Sequence, residues 1–176
     1  GQYQENLSDL SDLDNGVKLV SGEEALADSK IREYLESSVH DENDTFAAIN
    51  AAFCQDGLFL DIPAKAVMES PIQILAISSG ANGENESSYP RVLVRVGDLA
   101  EAKIIVRCAG LKGNYFVNSV QDFLVGNGAG LGLVQVETDQ KGARNFSKTR
   151  LILNRDSRFN GANVSYGSAL TRCHLE

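Results

Sequence analysis

"FLVGNGAGLGLVQ", residues 123–135, places glycine at positions 126, 128, 130 and 132 between two apolar runs. A glycine-rich turn after a strand is a common cradle for nucleotide phosphates, and a nucleotide enzyme is the first possibility to weigh. A dinucleotide fingerprint needs G-x-G-x-x-G, followed by a helix whose N-terminus holds the pyrophosphate. Here the glycines are spaced two apart, and the segment that follows, "LVQVET", alternates as a strand. No Lys-Ser or Lys-Thr pair follows the glycines at phosphate-loop spacing. The stretch is a corner between two strands, with Gly126 and Gly128 permitting the turn.

The same frame returns along the chain. "VRVGDLAEAKIIV", residues 94–106, aligns with Val96 on Val125, Gly97 on Gly126, Ala100 on Ala129 and Ile104 on Leu133. "LILNRDSRFNG" joins it with Leu153, Asn154 and Ser157, and "LDIPAKAVMES" with Ile62, Pro63 and Ala66. Each copy has an apolar residue, a turn residue, two free positions, a small residue and a new apolar alternation. The spacing is roughly thirty residues, the mark of a repeat architecture. Short β-branched segments fill the intervals ("PIQILAIS", "RVLVRVG", "AKIIVRC", "YFVNSVQDFLV"), with no helical pattern among them. Strands without crossover helices, on a fixed repeat, predict coils stacked into a parallel β-helix rather than an antiparallel sandwich. The small residue fits because a large side chain at a tight corner would strike the coil above.

Upstream of the repeats the period changes. Residues 1–57 are expected to form a strand and loop and two short helices, and residues 58–176 the β-helix core. Ser21 and Glu24 have capping-box spacing. The helix they open runs through "EEALADSKIREYLESSV", with Ala27, Ile31, Tyr34 and Leu35 on one face. A second helix starts at Asn43 or Asp44, carries Phe46, Ile49 and Phe53, and is expected to stop at Asp56-Gly57, with the glycine as a left-handed cap. "SSGANGENESSYP", residues 78–90, is expected to be an exposed, mobile loop.

The 43% apolar content and mean hydropathy of −0.17 are those of a globular chain. No apolar run is long enough to cross a bilayer. A net charge of −8 argues against nucleic-acid binding. The charge is uneven: residues 1–90 hold 17 acidic and 4 basic side chains, residues 91–176 hold 7 and 12. Three scattered cysteines without a CxxC pair fit a reducing compartment, the cytoplasm or a plastid. The sequons at Asn85, Asn145 and Asn163 are then chance matches.

Few residues invite chemistry. Cys173 and His174 are adjacent in an alternating segment, which sends them to opposite faces and away from a shared metal. Cys54 and Cys108 fit as packed small hydrophobes, and His40 as a solvated residue of the acidic linker. Two clusters, Arg155, Asp156 and Arg158, and Glu137, Asp139, Lys141 and Arg144, resemble the charged faces of polysaccharide-active β-helices. Both are also good turn sequences, and 7% aromatic content with no tryptophan gives little surface for stacking sugars. No catalytic, cofactor-binding or metal-binding residue is assigned.

"NDTFAAINAAFCQDGLFLDIPAKAVMESPIQIL", residues 43–75, resembles the signature of the SufB/SufD family of iron–sulfur cluster assembly scaffolds. Phe46, Asn50, Ala52-Phe53, Asp56-Gly57, Phe59, Pro63 and Pro71-Ile72-Gln73 stand where that family has them. "GQYQENLSDL" resembles the strand preceding this region, and the corners at residues 96–106 and 125–136 resemble the family's turns. The fit is to the SufD type. The resemblance implies a right-handed parallel β-helix and a non-catalytic scaffold subunit acting with a SufB-type scaffold and a SufC-type ATPase. An iron–sulfur cluster would then form in the parent complex, with none held by this stretch. It also implies a helical region before this stretch, more coils after it, and an open edge at "RCHLE" able to self-associate. The alternative is a β-helical polysaccharide-active enzyme.

Overall fold

A computed structural model describes residues 3–11, 13, 16–40, 43–55, 57–80 and 86–176. The chain forms a β-solenoid of about three turns, a parallel β-helix, as the repeat predicts. After a short antiparallel strand β1 (Lys18–Ser21), two sheets alternate along the chain. Sheet A runs β1, β2 (Gly57–Ile62), β5 (Arg91–Val96), β7 (Tyr115–Val125), β9 (Arg144–Leu153) and β11 (Leu170–Leu175). Sheet B runs β3 (Ile72–Ser78), β6 (Glu101–Gly110), β8 (Gly130–Thr138) and β10 (Arg158–Tyr166).

The aligned frame is the stacking register. Ile62 pairs with Val96, Val96 with Val125 and Val125 with Leu153. Beside this row Lys65, Leu99, Gly128 and Asp156 all adopt left-handed φ, between 57° and 65°. The next residue is small and, in Ala100 and Ala129, fully buried. Backbone bonds tie one corner to the next: Gly97 N–H to Ile62 O at 2.8 Å, Gly126 N–H to Val96 O at 2.8 Å, Asn154 N–H to Val125 O at 3.0 Å. Gly126 is required by close approach, since a Cβ there would sit 2.7 Å from the Asp98 backbone nitrogen. Gly128 answers for the positive φ.

Inside the coil, Ile62, Val94, Val96, Ile104, Phe123 and Val125 are buried to 1% exposure or less. Each alternates with a residue on the outer face, the period-2 pattern of strands.

The N-terminal helices cover the outer face of sheet A. The capping box forms as expected, with Ser21 and Glu24 bonded reciprocally at the start of α1 (Gly22–Ala25). The first helical stretch then turns at Leu26–Asp28 before α2 (Ser29–His40). That turn removes Ala27 from the buried face, and Ala25 packs instead with Ile31, Phe59 and Leu93. Tyr34 and Leu35 join them.

Helix α3 (Thr45–Phe53) is capped by Asp44, which accepts from the Phe46 and Ala47 N–H groups at 2.9 and 3.2 Å. It ends at Cys54, and Gly57 opens β2 without a positive φ, so the expected glycine cap is not used. Asp56, the other residue of that expected stop, lies outside the described residues. The expected loop 78–90 contains a strand, β4 (Glu86–Ser88), in register with Tyr115–Val117. Residues 81–85, with the Asn85 sequon, lie outside the described residues.

Candidate functional site

Alternation along β8 sends Leu131, Leu133, Gln135 and Glu137 into the solenoid, and stacking places them opposite the inward residues of sheet A. The interior therefore divides in two. Toward the glycine corner it is apolar. Toward the opposite corner it holds Ser119, Gln121, Gln135, Glu137, Ser147 and Thr149, all buried.

Five of these groups bond one another. The Gln135 amide donates to Gln121 Oε1 at 3.0 Å and to Thr149 Oγ1 at 2.8 Å. Ser147 donates to Glu137 Oε1 at 3.2 Å, and the Cys173 thiol lies 3.7 Å from both carboxylate oxygens. Unpartnered groups here would cost about 1–3 kcal/mol each, so the network sets the register of this half.

Burial governs protonation. Desolvation raises the Glu137 carboxyl above its ordinary range, against the lowering effect of the Ser147 hydroxyl. Burial pushes the Cys108 thiol up to about 12, helped by the Glu137 charge. It also raises Cys173. Both thiols stay protonated at neutral pH, the weakly nucleophilic form.

At the outer end of this half, the Tyr115 phenol donates to Asp139 Oδ1 at 2.8 Å and accepts from the Gln140 N–H at 3.1 Å. The Asn145 amide donates to Asp139 Oδ2 at 2.9 Å. Burial pushes the phenol up to about 12.

The outer face of sheet A carries a second polar set beneath the helices. Asp122, with no exposed surface, pairs with Arg150 at 2.5 Å and Arg91 at 3.2 Å. Asn50 of α3 is also fully buried and donates to Asn118 O at 2.7 Å and Pro90 O at 3.1 Å. Asn118 returns a bond to Phe46 O at 2.7 Å. Phe46 stacks on Phe146 with ring centroids 4.2 Å apart. Asp44 then reaches Arg172 at 2.9 Å and lies 3.4 Å from His174 Nδ1. Burial would raise the Asp44 carboxyl, but the Ala47 and Phe46 N–H groups and the Arg172 guanidinium hold it below the usual range.

The residues singled out from sequence fall into place unevenly. Cys173 points into the solenoid and His174 onto the outer face, so they share no site, as alternation required. Cys108 is packed inside. Cys54 lies one residue past α3 and is half-buried. His40 closes α2 instead of sitting in a loop; its side chain lies outside the described residues. Arg155 and Asp156 form an exposed corner pair 3.2 Å apart, and Arg158 bridges to Glu101 across Gly130. Asp139 and Lys141 do occupy a turn, but Glu137 is inside the core. Strict alternation through "LGLVQVET" was the signal that could have placed it there. Among the described residues, no three His, Cys, Asp or Glu side chains gather as a metal-binding group, and no helix is long and apolar enough to cross a membrane.

A short parallel solenoid, clad on one sheet by N-terminal helices, defines the class of fold. Residues 78–176 match the SufBD core domain of SUF system FeS cluster assembly, and residues 1–74 match the SufBD protein N-terminal region. The chain belongs to the SufBD family. It is similar to an iron–sulfur cluster assembly SufBD family protein of Synechocystis sp., at 24% identity over 187 aligned positions. That alignment covers 100% of this chain and 41% of the relative.

Proposed function

We propose that this chain serves as a SufD-type, non-catalytic scaffold subunit of a SUF-type iron–sulfur cluster assembly complex in the cytoplasm or a plastid. Its partners would be a SufB-type scaffold and a SufC-type ATPase, and the cluster is the cargo of the complex. The observation that carries this reading is the match of the N-terminal and core regions in chain order, on a solenoid whose corner register the sequence repeats. The divergence of Cys173 and His174 onto opposite faces supports leaving cluster ligation outside this stretch.

The test is co-expression of the full-length parent with SufB- and SufC-type proteins, followed by anaerobic purification. Complex mass, iron and sulfide are measured together. A three-component, iron- and sulfide-containing complex is expected. A parent that binds neither partner overturns the proposal. The same mass measurement, made on this chain alone, reads self-association through the exposed strands β10 and β11.

A further inference from the structure

The two sheets differ in what lies outside them. Helices α1 to α3 cover sheet A, whereas nothing among the described residues packs over sheet B. Its outer face is apolar all the same. In register, Leu75, Arg107, Val136 and Val164 form one row. Ile77, Ala109, Thr138 and Tyr166 form the next. Ile77 and Tyr166 are 55% and 62% exposed, and Leu75, Val134 and Val164 are exposed beside them. Scattered single apolar residues are ordinary on a surface; a contiguous block on a flat sheet marks an interaction site.

The charges on this face are one-sided. Glu101 is taken by Arg158. Lys103 and Arg107 have no carboxylate partner among the described residues, and no further carboxylate lies in these rows. Sheet A shows how this chain finishes such a surface. There the covering helices lay apolar side chains on the sheet, and Asp44 at the head of α3 brings its carboxylate to Arg172, while Asp61 and Asp122 of the sheet itself hold Arg95, Arg91 and Arg150. A second copy offering the same face would set Lys103 and Arg107 against their own kind.

We propose that the outer face of sheet B docks an acidic amphipathic helix of a partner protein. Its apolar stripe lies on Leu75, Ile77, Val134, Val164 and Tyr166, and its carboxylates reach Lys103 and Arg107. This inference rests on the surface alone and stands apart from the assembly reading.

The photo-crosslinking amino acid p-benzoylphenylalanine placed at Ile77 or Tyr166 of the full chain, in its own host, tests this. Crosslinked peptides are identified by mass spectrometry. The expected product is an acidic, helical segment of another protein. Its yield should fall about tenfold when Lys103→Glu and Arg107→Glu are combined, through lost charge complementarity. Both positions are on the surface, and an unchanged circular dichroism spectrum confirms folding. A crosslink to a second copy, to a basic or neutral segment, or to nothing overturns the proposal. So does a yield indifferent to the two charge reversals.

Discussion

At residues 62–66, 96–100, 125–129 and 153–157 one set of backbone bonds joins each coil to the next, whereas at the opposite corner the backbone bonds differ from coil to coil and a buried side-chain set adds to them. The first corner repeats one set of carbonyl and N–H contacts with a left-handed residue in each coil, and Lys, Leu, Gly and Asp all serve there. The second depends on Tyr115, Asp139, Gln140 and Asn145, which bond one another once and do not recur. Where backbone sets the geometry, the sequence shows a repeat of shape. Where side chains set it, identity matters and no repeat is visible. The interior follows the same division, apolar beside the first corner and hydrogen-bonded beside the second.

The largest effect expected belongs to the apolar half. Phe123 has no exposed surface, and Phe123→Ala should lower unfolding free energy by about 3–5 kcal/mol, read from urea melts. At the side-chain corner, Tyr115→Phe strips the phenol from Asp139 and Gln140 and should cost about 1–2 kcal/mol. A value near zero would erase the difference between the corners.

At the backbone corner the sign reverses. Leu99 is 58% exposed with φ of 60°, so Leu99→Gly should raise stability by up to about 1 kcal/mol, as relief of the left-handed strain exceeds the entropy cost of glycine. A loss there would mean that side-chain packing matters at both corners.

Smallest near neutrality, and distinct in its pH dependence, is Glu137→Gln. The folded chain holds the Glu137 proton more tightly than the unfolded chain does. Wild type therefore keeps that contribution below the ordinary carboxylate range and loses it as pH rises through the raised value. Thermal melts across this range should show the variant gaining on wild type as pH rises. A parallel pair of curves would contradict the buried-carboxyl account.

Most of the solenoid was legible because its corners impose the same demand four times. A turn residue, a left-handed position and a small residue leave a trace that alignment recovers, as at Ala66, Ala100, Ala129 and Ser157. Capping was legible for the same local reason at Ser21 and Asp44. What escaped depends on neighbours distant in sequence. Asp122 looks like a solvated outward residue until α2 and α3 lie over sheet A and two arginines close on it. Glu137 sits in a string of turn-like residues, yet alternation carries it inward, where Ser147 and Cys173 wait on a different sheet. Gly57 carried a cap signal that was never needed, because α3 had already ended at Cys54.

The central claim is that this stretch shapes and supports an assembly complex without holding its cluster. It is tested most directly by removing every thiol from the stretch. Cys54→Ser, Cys108→Ala and Cys173→Ser would be combined in the full-length parent, co-expressed with SufB- and SufC-type proteins and purified without oxygen. The account predicts a complex of unchanged mass with iron and sulfide equal to wild type. An intact complex that has lost its iron would contradict it.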